Sequence, residues 1–394
     1  MHNNKNRLRK LVTACATAGL IGTIVTTAAN AAEPVKVGVM LPFSGVYAAL
    51  GDAGRNGLKL ALQQNAAQLH GREIEFLELD TEAKPERAPE LASSLLDKDK
   101  ADFIIGPVHS GVAMGMSKVL RNKDAIMIIP NAGAAAATGP LCAPNVFRTS
   151  FSSWQPSYPM GKVALDAGYK KVVTMSWNYG MGKESLDAFE ESFTAGGGEI
   201  VKKILVPFPK TEFQPYITDI AATAPDAVFV FFAGGGAVKF VKDYNALGLN
   251  DKIPLLGAGF LTEGTLEAQG EAAEGILTTL HYADNLDNPA NHKFRQDYAS
   301  SFGKPADIYA VQGYDAGLLI AQAINTLGGD ISDRKALIKA MEESTIDSPR
   351  GKFTFSKAHN PIQDIYLRKV VNGENQVLSI AAQALEDPAR GCKL

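Results

Sequence analysis

The sequence is short of the features that mark most chemistry. Lys and Arg never gather into a block in the body of the chain, and the net charge is −3. That excludes a nucleic-acid partner, which needs clustered cations to neutralise phosphates. Six histidines are scattered with no pair at metal-ligand spacing, so no metal site is expected. H-E-x-x-H, G-x-S-x-G and G-x-x-x-x-G-K-[ST] are all missing, which removes the usual metalloprotease, hydrolase-elbow and phosphate-loop readings. Gly257-Ala258-Gly259 opens a G-x-G, but Leu261-Thr262 follows where dinucleotide binding requires a third glycine. Ser332 to Lys335 matches S-x-x-K, yet Ser332 and Asp333 read as a helix cap rather than a nucleophile. No cofactor is expected, and the chain does not read as an enzyme. Its 37 glycines carry no triplet period, which excludes collagen.

What remains is an ordinary soluble balance, 46% hydrophobic and 21% charged, over 394 residues. That length allows one large core or two medium ones. The first thirty residues stand apart. Lys5, Arg7, Arg9 and Lys10 form a basic head, Leu11 to Thr27 carries no charge, and Ala29-Asn30-Ala31 closes as a cleavage signal. This is the order of a secretory signal peptide over residues 1–31. A membrane anchor is the rival reading, but seventeen weakly apolar residues are marginal for a span of about 30 Å. Val12-Thr13-Ala14-Cys15 loosely resembles a lipobox, although only four uncharged residues separate Cys15 from Lys10. Cleavage leaves a net charge of −7 and two of the three cysteines, Cys142 and Cys392. An even pair in an exported chain permits one disulfide; two separate thiols are the alternative.

Beyond the leader, short apolar runs alternate with amphipathic stretches. Strands are expected at Val35–Leu41, Ile74–Asp80, Asp102–Gly106 and Ala125–Pro130, with helices between them. The pattern repeats with strands at Lys171–Trp177, Ile200–Val206, Ala227–Phe232 and Pro254–Phe260. Asn145 to Gln155 lies between the halves without clear periodicity. Three helices follow Tyr282, then two or three strands. Helices without a sheet of their own must cover an existing one, so the chain is expected to cross between the halves more than once. The fold class is α/β, with two doubly wound, Rossmann-like parallel sheets joined by a hinge.

In such sheets ligands sit outside the carboxyl ends of the strands. Those ends offer small and polar groups in the first half: His109-Ser110 and Asn131-Ala132-Gly133. They offer aromatic groups in the second: Tyr179, Phe232 and Phe260. Ser110 precedes a helix whose free N–H groups suit a carboxylate, or it is a plain cap. Gly133 opens its backbone to close approach. Tyr179 and Phe232 cover an apolar ligand body, or simply pack in the core.

The opening KVGVMLPFSGVYAALGDAGRNGLKLAL, with IIGPVHSGVAMGMSKVL and IIPNAG, resembles the leucine/isoleucine/valine-binding-protein family. These are periplasmic solute-binding proteins of ABC transporters with the type I binding-protein fold. The resemblance covers nearly the whole chain after the leader. It implies a periplasmic, monomeric receptor whose two lobes, joined by three crossings, clamp a small ligand and dock on a membrane permease. It implies lobes at residues 32–152 with 284–360, and 153–283 with 361–394. It places a carboxylate on Ser110, Ala132 and Gly133, with Tyr179 and Phe232 opposite and Leu50 where an aromatic often stands. Amino-acid-binding members carry an acid after the LLG-type strand to pair with the α-ammonium. Here Gly257-Ala258-Gly259-Phe260 stands there, and Glu263 comes later. An ammonium buried without that partner costs several kcal/mol. The expected ligand is therefore an aromatic acid, benzoate-like or cinnamate-like, stacked on Phe260. The segment Arg148 to Pro156, with Trp154, also resembles aromatic-acid binders. A branched-chain or other amino acid is the alternative ligand. A sensor passing the same ligand to a signalling receptor is the alternative role.

Overall fold

The computed structural model describes residues 33–394; the expected signal peptide, with Cys15, lies outside the described residues. The first lobe is built from β1 (Val35–Leu41), α1 (Ala48–Gln64), β2 (Ile74–Asp80), α2 (Ala88–Ser93), β3 (Phe103–Ile105), α3 (Ser110–Leu120), β4 (Ile126–Ile129), α4 (Ala135–Thr138) and β5 (Val146–Arg148). All five strands are parallel, in the order β2-β1-β3-β4-β5. β5 falls inside the stretch whose sequence shows no periodicity.

The second lobe repeats the plan with α5 (Tyr158–Asp166), β6 (Lys171–Trp177), α6 (Gly180–Ala195), β7 (Glu199–Val206), α7 (Gln214–Thr223), β8 (Ala227–Phe231), α8 (Gly234–Ala246), β9 (Leu255–Ala258), α9 (Leu266–Gln269) and β10 (Leu277–Leu280). Its parallel core runs β7-β6-β8-β9-β10, the same winding as the first lobe. Each sheet thus reverses direction beside its first strand, and a ligand crevice is expected at that switch point. β8 reads Ala-Val-Phe-Val-Phe and is buried at every position, as a strand covered on both faces must be.

α10 (Pro289–Phe302), α11 (Ile308–Thr326) and α12 (Arg334–Glu342) follow, then β11 (Ile346–Ser348), β12 (Gly351–Phe355), β13 (Pro361–Val371) and β14 (Glu374–Leu385). α11 returns to the first lobe and lies on α1 at backbone contact. A Cβ on Gly313 would sit 1.9 Å from the Gly54 carbonyl oxygen, so glycine is required there. Asp333 caps α12 by accepting from the Lys335 and Ala336 N–H groups at 2.9 and 3.1 Å. That is the capping role the sequence suggested, with the aspartate rather than Ser332 performing it. β13 joins the second sheet antiparallel to β10, and β14 pairs with β13. β11 and β12 form a hairpin that hydrogen-bonds to the start of β13.

The chain passes between the lobes after β5, after β10 and before β13. Buried polar side chains tie these crossings together. Arg350 reaches Asp315 at 2.7 Å and the Thr149 carbonyl at 2.6 Å, and Gln363 donates to the Ser150 carbonyl at 2.7 Å. Beyond β14, Cys392 is bonded to Cys142, their Cα atoms 5.5 Å apart across 250 residues of chain. Reduction, or Cys142→Ser, is expected to lower stability by about 2–5 kcal/mol, because a long loop is freed in the unfolded chain. Thermal melts with and without reductant check this; unchanged melts would show that the link contributes nothing.

Candidate functional site

The two switch points face each other across a narrow cavity of about 10 Å³, room for roughly one water, so a ligand enters only when the lobes part. The first lobe contributes Tyr47, Leu50, Val108, Asn131, Gly133 and Tyr309; the second contributes Tyr179, Met181, Phe231, Ala233 and Phe260; Phe151 comes from the first crossing. Six of these twelve are aromatic and none is charged. The lobes meet around the cavity. The Tyr47 and Tyr179 hydroxyls lie 2.9 Å apart, and the Phe151 and Phe260 rings 4.6 Å apart. Burial pushes both tyrosine hydroxyls up from their ordinary range, so they are neutral phenols able to donate.

Of the residues singled out from sequence, Leu50, Asn131, Gly133, Tyr179 and Phe260 lie on the wall. Ser110 stands just behind it. It is the first residue of α3, 1% exposed, its Oγ has no partner among the described residues, and its Cβ lies beside Gly180 of the other lobe. Ala132 is buried, but its N–H is spent on the Pro107 carbonyl at 3.0 Å, so the resemblance's second amide donor is already engaged.

Three residues sit elsewhere. Phe232 points into the second lobe's core against Phe213 and Phe240, at 4.7 Å from each. Its neighbour Phe231 faces the cavity instead. Trp154 lies away from the cavity, stacked on Tyr158 at 4.3 Å, with its Nε1–H donated to Glu191 at 3.3 Å. His109 is buried. It caps α3 by accepting from the Gly111 N–H at 3.1 Å, and its ring lies on Tyr179 at 4.6 Å and against Phe208 at 5.0 Å.

Burial pulls the His109 imidazole down to about 4, so it is neutral near pH 7. A depressed base contributes stability that is present above its unfolded pKa and lost as pH falls through its folded one. His109→Phe is therefore expected to remove about 3 kcal/mol of acid sensitivity between about pH 6.5 and 4. Denaturant titrations across that range check it; parallel pH profiles for the two proteins would refute it.

Glu263 is the acid nearest in sequence to the Phe260 turn, and the structure spends it inside the second lobe. Its carboxylate is 1% exposed and pairs with Arg368, itself fully buried. Arg368 also donates to the Tyr282 carbonyl at 2.7 Å and the Gly259 carbonyl at 3.1 Å, which holds the base of the Phe260 turn. Val108 and Ala233 line the wall beside candidates at their strand ends and Phe151 within the Arg148 to Pro156 segment, while Tyr47, Met181, Phe231 and Tyr309 are wall residues that the strand ends do not point to. Tyr309 carries a buried hydroxyl with no partner among the described residues.

Two like-wound lobes closing an uncharged cavity at facing strand ends define a protein that encloses a solute. A family model described as periplasmic binding protein matches residues 34–375, and the chain belongs to that family, the solute-binding proteins of ABC transporters. Leu/Ile/Val-binding protein homolog 6 of Brucella melitensis is 34% identical over 361 residues, covering 89% of this chain and 92% of that one. The solute-binding protein of an ABC transporter from R. palustris, solved in complex with benzoate, is 48% identical with a TM-score of 0.89. The match covers 92% of this chain and all of that one. A second, from Rhodopseudomonas palustris BisB5 in complex with 3,4-dihydroxybenzoic acid, is 32% identical with a TM-score of 0.85, over 90% of this chain and 99% of that one.

Proposed function

We propose that this protein is the periplasmic receptor of an ABC uptake transporter for a benzoate-class aromatic carboxylate, exported by its N-terminal signal peptide. The observation that carries the reading is the wall itself. It offers rings and uncharged donors, while Glu263, the acid nearest in sequence to the Phe260 turn, is committed to Arg368. An amino acid's ammonium would enter such a site without a counter-charge, at a cost of several kcal/mol. A flat ring between Phe260, Phe231 and Tyr309 gains area burial and stacking instead. The carboxylate finds Ser110 Oγ and the α3 N-terminus on the first-lobe side. The ligand touches both lobes only when they close, so binding shifts the protein toward the closed form that a permease can recognise. The role is capture and delivery by a monomer rather than turnover.

The relatives named for leucine, isoleucine and valine keep an amino-acid ligand as the second reading. A thermal-shift panel of benzoate, hydroxybenzoates, cinnamates, leucine and valine separates the two, since a true ligand stabilises by RT ln(1 + [L]/Kd). Aromatic acids are expected to shift the melt and the aliphatic amino acids not. Leucine outperforming every aromatic acid would overturn the ligand class and leave the fold untouched. Ser110→Ala is expected to weaken benzoate binding by about 1–3 kcal/mol, the scale of a hydrogen bond to a charged group. Unchanged affinity by calorimetry would remove Ser110 from the site.

A further inference from the structure

Behind Asn131 runs a polar chain that leads from the cavity wall to the hinge. Asn131 stands just past the carboxyl end of β4, and its amide lies 2.6 Å from Oε1 of Gln312 on α11. The far end of the Gln312 amide lies 3.3 Å from Nε2 of His281, where β10 leaves for the second crossing. Asn131, Gln312 and His281 are 8%, 1% and 1% exposed. His281 Nδ1 is sealed without a partner among the described residues, and the ring lies over Phe151 of the cavity wall. Burial and the neighbouring Arg350 and Arg368 charges hold this imidazole well below its ordinary range, so it is neutral and carries one N–H and one lone pair.

A side-chain amide has a donor end and an acceptor end of nearly the same shape, so the chain has two consistent wirings. In one, the arrangement the structure shows, Asn131 Nδ2 donates to Gln312 Oε1, Gln312 Nε2 donates to His281 Nε2, and the imidazole proton is forced onto Nδ1, where no acceptor stands among the described residues. In the other, His281 Nε2–H donates to the Gln312 carbonyl and the Gln312 NH2 donates to the Asn131 carbonyl. Nδ1 then buries only a lone pair. Orphaned buried N–H groups are rarer in folded proteins than under-satisfied acceptors, which favours the second wiring.

We propose that His281 is held as the Nε2–H tautomer and, through Gln312, turns the Asn131 amide so that its NH2 faces the cavity. His281 and Gln312 are then positioning residues that make this stretch of wall a donor, selecting a carboxylate over a group that must itself donate. The selectivity half of the inference rests on the aromatic-carboxylate reading above; the wiring half does not.

Long-range proton–nitrogen NMR of the full mature chain, labelled with nitrogen-15, reads the tautomer directly. Nε2–H is expected both without ligand and with saturating benzoate; Nδ1–H in the ligand-free protein would overturn the wiring. Gln312→Met and His281→Phe are each expected to weaken benzoate about tenfold and benzamide less than twofold, because only the carboxylate depends on the fixed donor. Equal losses for both ligands, or no loss for either, would overturn the selectivity role. If the wild-type protein binds neither compound, the ligand class fails, and the tautomer still decides the wiring.

Discussion

Arg368→Met is expected to cost about 3–5 kcal/mol of folding stability, the penalty for stranding a buried charge. Arg368 is fully buried, and besides Glu263 its guanidinium donates to the Tyr282 and Gly259 carbonyls and to Thr278 Oγ1 at 3.0 Å. Methionine keeps much of the volume and none of the donors. Glu263 would be left with the Ile308 N–H and Asn375 Nδ2, both at 3.4 Å. Burial already pushes the Glu263 carboxyl up against the opposing pull of Arg368. Without Arg368 it rises further, and the folded variant takes up a proton. A carboxyl raised on folding contributes stability at low pH that is lost as pH climbs, so the deficit should shrink from about pH 8 to about pH 5. Adding Glu263→Gln should recover most of the loss, because the stranded charge is gone. Urea unfolding of the three proteins provides the measurement. A single variant within about 1 kcal/mol of wild type, or a double variant no better than the single, would contradict the account.

Gly133→Val is expected to reduce ligand affinity about 100-fold while both lobes stay folded. A Cβ on Gly133 would stand 2.6 Å from Ser153 Oγ, 2.8 Å from the Ser153 nitrogen and 2.9 Å from Met181 Sδ. The methionine can swing aside, but the Ser153 backbone belongs to the crossing and cannot. Since Gly133 is in the first lobe and Ser153 lies on the crossing that leads into the second, the added atoms push the crossing away from the first lobe and hold the lobes apart where the ligand needs them together. Gly235→Ala makes the matching control, since a Cβ there meets nothing within 4 Å. Calorimetry reads the affinity and small-angle scattering reads the opening. Affinity within threefold of wild type, with no change in scattering, would show that closure does not pass through this contact.

The parts of the fold legible in the sequence are those with long periodic runs. VKVGVML, IEFLELD, KVVTMSW and AVFVFF are too β-branched or too strictly alternating to be anything but strands, and the helices between them carry apolar faces at the right spacing. β5 and β10 were not legible for a physical reason. Val-Phe-Arg and Leu-Thr-Thr-Leu are too short to show a period, and they are strands because a parallel neighbour supplies their hydrogen bonds. Phe231, the last residue of β8, and Phe232 just after it mark a second limit. A strand buried on both faces loses the alternation that would say which ring faces the cleft, so the sequence points to Phe232 where the structure puts Phe231 on the wall. Trp154 failed differently. Its indole found a partner in Glu191 on a neighbouring helix, 37 residues away and on the outer surface.

The sequence alone determined that the chain is two like-wound α/β halves, that their strand ends carry small groups in one and rings in the other, and that no acid follows directly on the LLG strand. Those properties are local, set by periodicity and by which residues follow a run. Tertiary structure decided the rest. It brought Tyr309 and Phe151 to the wall from a helix and a crossing remote in sequence, and it engaged Glu263 with an arginine 105 residues later. It also buried His109 beneath rings of the opposite lobe. A cleft between lobes is made of contacts at long sequence separation, and its charge and shape depend on which polar groups are already paired, which no window of neighbouring residues contains.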